Sequence, residues 1–112
     1  MKMILAIVRP DRMANVRDAL TNIGISGMMV TEGHGIGSQE GYVERYRGFE
    51  YSVGMLAKVR IEIAVSDDQS DEVVEAICKA AYTGEVGDGK IFVYALENCM
   101  RVRTGEIGEA SV

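Results

Sequence analysis

From Lys58 to Val65 the chain alternates without a break. Val59, Ile61, Ile63 and Val65 stand between Lys58, Arg60, Glu62 and Ala64. A period of two marks a β-strand with one buried face. Such a strand needs a cover for its apolar side, and the sequence supplies one at once. Ser66 and Gln69 fit a capping box, and Val73, Val74, Ile77 and Ala81 then recur at helical spacing until Thr83-Gly84 breaks the pattern. A second helix is expected after Pro10-Asp11. Met13, Val16, Leu20 and Ile23 form its apolar stripe, and Gly24 ends it. Further strands are expected over Met3–Val8, from Ile25 to about Gly35, and over Ile91–Leu96.

The resulting order is β-α-β-β-α-β. It predicts an α+β fold of the ferredoxin-like type: a four-stranded antiparallel sheet with two helices on one face. The strands are apolar enough that the second sheet face is also expected to be covered, which implies an oligomer. Between Gly35 and about Met55 no periodicity survives, so residues 37–55 are expected to be a long flexible loop without regular structure. Its glycines give freedom, while Tyr42, Tyr46, Phe49 and Tyr51 give contact surface. That mixture suits a segment that orders against a partner.

At 112 residues the chain makes one domain, 1–112. Its 12 basic against 17 acidic residues argue against nucleic acid as a partner, though not against a small anion held by local cations. Cys78 and Cys99 are too far apart for a zinc or CxxC motif. The N-terminus lacks the length and cleavage site of a signal peptide, and no run reaches membrane-spanning length. A cytoplasmic location is expected.

The chemistry concentrates in one loop, residues 82–90. Gly84, four intervening residues, Gly89 and Lys90 match the start of a Walker A motif. The next residue is Ile91 where Ser or Thr would hold Mg²⁺, and the loop feeds a strand where a Walker loop opens a helix. It is therefore not a P-loop NTPase, yet Gly87, Asp88 and Gly89 let the backbone approach an anion, with Lys90 as a point charge. Arg101 and Arg103, in the tail 101–112, add bidentate donors; two residues apart in an extended tail, they are expected to share one face. Gly33-His34-Gly35-Ile36-Gly37 is a candidate second backbone nest. His34, the only histidine, has no partner at ligand spacing.

These residues carry a family resemblance. Tyr46-Arg47-Gly48-Phe49-Glu50-Tyr51 resembles the uridylylation-loop motif of PII signal-transduction proteins, with Tyr51 at the modified position. Thr83 to Val93 resembles their nucleotide-loop signature, and Lys58 to Ile63 and Arg101 to Glu106 also match. The resemblance covers essentially the whole chain. It implies a homotrimer with ATP or ADP competing for the clefts between subunits. The implied nucleotide set is Gly35, Gly37, Glu62, Ala64, Gly87, Asp88, Gly89, Lys90, Arg101 and Arg103. It further implies Mg²⁺ on Gln39, with 2-oxoglutarate held by Gln39, Lys58 and Gly87. The long loop would dock on an ammonium transporter or a nitrogen-assimilation enzyme. The chain departs from the usual pattern at Met29, Ser38, Phe49, Ala64, Tyr82 and Glu85, leaving the core phosphate set intact.

Other readings stay open beside the one the resemblance implies. One is a divergent, nitrogenase-linked regulator with an altered ligand response. Another is an acylphosphatase or slow nucleotide hydrolase on the same fold, for which Arg9 gives slight support, although no nucleophile or general base stands near the glycine loop. An RNA-binding module shares the element order but would need sheet aromatics, and Lys58–Val65 has none.

Overall fold

The computed structural model describes residues 1–36 and 55–112, and of the intervening segment the backbone of 43–46 and 49–52. The elements are β1 (Lys2–Val8), a 3₁₀ turn (Pro10–Arg12), α1 (Met13–Asn22), β2 (Met29–Ile36), β3 (Val43–Tyr46), β4 (Phe49–Ser52), β5 (Met55–Val65), α2 (Asp67–Ala81), β6 (Lys90–Ala95) and a final 3₁₀ turn (Gly108–Ser111). The main sheet is four-stranded in the order β2-β5-β1-β6, and all its pairings are antiparallel. This is the ferredoxin-like arrangement expected from the sequence.

The alternation in β5 becomes two unlike faces. Val59, Ile61, Ile63 and Val65 are buried with Ile4, Ala6 and Val8 of the neighbouring β1. Val16 and Leu20 of α1 and Val73 and Ile77 of α2 close over them as one core. Each of these Val, Ile and Leu side chains contributes about 1.5–3 kcal/mol through its removal from water. The opposite face carries Lys58, Arg60, Glu62 and Ala64 beside Met3, Leu5 and Ile7, with Phe92 and Tyr94 about half exposed.

Helix ends are tied as the sequence suggests, with one long-range addition. The Gln69 side chain reaches back to the Ser66 amide at 3.5 Å, at the long limit for such a bond. At the other end of α2, Arg12 donates from Nε and Nη2 to the Ala80 carbonyl at 3.0 and 2.7 Å. That satisfies an orphan carbonyl with a cation where the helix dipole favours one.

Two strand boundaries are corrected, and the long loop gains a detail. β2 starts at Met29, not Ile25; Ile25 is buried in the connection after α1, its amide bonded to the Leu20 carbonyl at 2.9 Å. β5 starts at Met55, ahead of the alternating run. The long connection expected over 37–55 lies between β2 and β5 as read, and within it the backbone carries the β3–β4 ladder, in which Val43 pairs with Ser52 and Tyr46 with Phe49. Strand pairing runs through the main chain and needs no alternation in the side chains, which is why a periodicity test passes over it.

Candidate functional site

The glycine loop leaves α2 at Tyr82, whose backbone is already extended, and enters β6 at Lys90, opposite Ile7 of β1. Its glycines at 84, 87 and 89 all have positive φ. Gly89 is the tightest point. With φ +101°, a Cβ there would stand 1.7 Å from the Ile7 carbonyl oxygen. The loop backbone thus lies directly on the end of β1, and any side chain at this position would force the two apart.

Asp88 fastens the loop from inside. Its carboxylate accepts the amides of Thr83 at 2.8 Å and Gly84 at 2.9 Å, and the Thr83 hydroxyl. Arg9 Nε donates to the same carboxylate at 2.9 Å, while Arg9 Nη2 donates to the Val86 carbonyl at 2.7 Å. The Thr83 hydroxyl and amide, then the Arg9 guanidinium, hold the Asp88 carboxyl far below its ordinary value of 3.8. With its carboxylate so engaged, what Asp88 offers an anion is its main chain.

On the open face of the sheet the loop borders a cavity of about 390 Å³, lined among others by Gly35, Leu56, Lys58, Gly87, Gly89 and Lys90. Lys58 Nζ donates to the Gly87 carbonyl, so a cation from β5 already touches the loop. Gly35 leaves room for its stem: a Cβ there would come within 3.2 Å of Lys58 Cγ. Two lysines and a backbone rich in positive φ can meet a negatively charged group from two sides.

The residues expected to act together fall into two groups. Gly35, Lys58, Gly87, Gly89 and Lys90 meet at this cavity. Glu62 and Ala64 share the Lys58 face of β5 but lie further along it, roughly 13 and 20 Å away at strand rise, and Glu62 is paired with Arg60 at 2.9 Å. Arg101 and Arg103 lie beyond the far end of β6, which carries the chain about 17 Å from the loop before the tail begins. Nor is the tail extended. Gly105 donates to the Arg101 carbonyl, Arg101 donates to Glu106, and Met100 bridges Ile107, so residues 101–107 fold back as a turn. The expectation that the two arginines share one face of an extended tail fails for that reason. The Arg101 side chain approaches Glu106 at 3.8 Å and the Ala110 carbonyl at 3.4 Å, and Arg103 is exposed.

Gly37, Gln39 and Tyr51 lie outside the residues whose side chains are described. Among the described residues no three His, Cys, Asp or Glu side chains gather as metal ligands, and no helix is long and apolar enough to cross a membrane. Sequence reasoning missed the Arg9–Asp88 pair. The Thr83-to-Asp88 spacing hints at a self-closing loop, but nothing local announces a partner 79 residues away.

Fold and site define a small ferredoxin-like domain built around a braced glycine loop. The chain belongs to the nitrogen regulatory protein P-II family, whose model matches residues 1–106. It is 53% identical over 112 residues to nitrogen regulatory protein GlnK of Escherichia coli, covering all of both chains. To nitrogen regulatory protein P-II of Rhizobium etli it is 53% identical over 106 residues, 95% of each chain. A crystal structure of Arabidopsis thaliana PII bound to citrate superposes with a TM-score of 0.81 at 40% identity, covering 99% of this chain and 91% of that one. Membership places the chain among regulatory proteins rather than enzymes, as the names of these relatives state.

Proposed function

We propose that this chain is a homotrimeric regulator that binds ATP or ADP between subunits, responds to 2-oxoglutarate in the presence of Mg-ATP, and acts on nitrogen-assimilation targets through residues 37–55. The observation that carries the proposal is the division of the site. One chain presents a braced glycine loop with Lys58 and Lys90 at one end of its sheet, and Glu62, Ala64, Arg101 and Arg103 toward the other. Two copies set side by side would join a phosphate-binding half to a half carrying bidentate cations. The open sheet face favours such assembly, since Met29, Phe92 and Tyr94 are 66, 49 and 46% exposed in a single chain.

In this reading Gly87, Gly89 and Lys90 hold phosphate from one subunit, and Arg101 and Arg103 from its neighbour. Gly35 and Gly37 border the phosphates, and Glu62 and Ala64 lie by the base and ribose. Asp88 contributes through its main chain. Lys58 and Gly87 would receive a carboxylate of the keto acid, and Gln39 with that keto acid would complete the Mg²⁺ shell; Mg²⁺ supplies a hard centre for oxygen ligands. A ligand shifts the 37–55 segment only by binding its states unequally. The proposed partners are an ammonium transporter or a nitrogen-assimilation enzyme, with Tyr51 as the candidate modification site and the cytoplasm as the working compartment.

Calorimetry tests the reading. ATP and ADP should compete, and 2-oxoglutarate should give heat only with Mg-ATP present. Sedimentation should return three chains per particle. Equal keto-acid binding without nucleotide would sink the coupling, and a monomer that binds ATP at full strength would sink the shared cleft.

A further inference from the structure

We propose that Arg9 is a positioning residue for the glycine loop: from the rigid end of β1 it holds Asp88 and Val86 so that the loop's amides are arranged before any ligand arrives. The functional half of this inference rests on the nucleotide reading above.

Residues 82–89 have no regular secondary structure, and three of their glycines adopt positive φ. Left alone, such a loop would lose much freedom on closing around an anion, and that loss weakens binding. Arg9 removes part of it beforehand. The buried Val8 fixes the end of β1, and Pro10 biases the residue before it to extended backbone, where Arg9 is found at φ −66°, ψ 141°. From that base the guanidinium reaches two points of the loop at once, the Asp88 carboxylate through Nε and the Val86 carbonyl through Nη2. Asp88 passes the restraint on to the Thr83 and Gly84 amides. Arg9 and Asp88 are both partly shielded, with 28 and 24% of their side chains exposed. Two separate donors are needed, and a lysine at position 9 would keep the charge but lose the fork. Asp88 stays ionised well below neutral pH, so the brace is charged wherever the protein works. The guanidinium faces the loop, not the cavity: Arg9 is absent from the lining in which Lys58 and Lys90 appear.

The test uses the full chain with Arg9→Ala, Arg9→Lys, Asp88→Asn and the Arg9→Ala/Asp88→Asn double variant. Hydrogen exchange on the ligand-free proteins reads the loop directly, and titration with ATP and inorganic triphosphate reads its consequence. We expect Arg9→Ala to speed exchange at Thr83 and Gly84 while Ile61 keeps its protection, and to weaken both ligands about tenfold. Arg9→Lys should fall between. The double variant should lose little more than either single one, since both cut the same tie. Unchanged exchange at Thr83 and Gly84 overturns the proposal, as does protection lost equally at Ile61, or losses that simply add. If the wild type binds neither ATP nor triphosphate, the nucleotide reading fails, while the exchange rates still decide whether Arg9 holds the loop.

Discussion

The Ile7 carbonyl oxygen occupies the space a side chain at Gly89 would need, 1.7 Å from the ideal Cβ position. The contact joins the end of β1 to the last turn of the glycine loop, so the loop is seated by backbone against backbone. Gly89→Ala should therefore cost more than an ordinary loop substitution. Strain at φ +101° and the displaced carbonyl together should destabilise by roughly 2–4 kcal/mol. Denaturant unfolding would read the loss. Gly33→Ala is the control, because a Cβ there meets nothing within 4 Å.

Acid should expose the Asp88 tie. Its folded pKa lies below the ordinary 3.8, so its contribution is fully present above that value and is lost as pH falls through and below it. Melting temperature against pH should drop more steeply below about pH 4 in the wild type than in Asp88→Asn. Parallel curves would mean that the carboxylate is bonded as well in the unfolded chain as in the folded one.

What the sequence made legible, and what it did not, follows from how far each interaction reaches. Val59, Ile61, Ile63 and Val65 all map onto buried positions, because burial of one strand face is written at period two. Ser66, Gln69 and Gly24 mark helix ends because capping is local. The glycine loop was readable as a motif, but its fastening was not. Arg9 and Asp88 pair across 79 residues, and no local pattern encodes that meeting. The tail misled for a related reason. Arg101 and Arg103 at a spacing of two suggest one strand face, yet the Arg101–Gly105 and Arg101–Glu106 bonds curl the segment into a turn. That the candidate residues fall toward two ends of the sheet was hidden too, since a list of residues says nothing about which end each one occupies.

The core should respond to truncation as a single body. Ile77 is fully buried between α2 and the sheet, and Ile77→Ala removes three carbons there. A loss of about 2–5 kcal/mol is expected in urea unfolding. Val102→Ala is the comparison: its side chain is 97% exposed, and its change should stay within about 0.5 kcal/mol. A large effect at Val102 in the isolated chain would show that the tail turn packs more firmly than its exposure implies.

A site shared between copies makes a prediction that a site within one chain cannot. Lys90→Ala damages the glycine-loop half, and Arg103→Ala damages the tail half at the other end of the sheet. On the proposed reading each variant alone should bind ATP at least about tenfold more weakly, since each would lose a charged contact to phosphate. Mixed after unfolding and reassembled at equal concentrations, the two should recover. A cleft that takes its loop from an Arg103→Ala chain and its arginine from a Lys90→Ala chain is intact. Random assembly into a closed ring makes about a quarter of the clefts so. Titration of the mixture should therefore show tight binding at about that fraction of sites, with the remainder weak. If loop and arginine had to come from one chain, no mixture would regain any tight site, and the shared cleft would have to be abandoned.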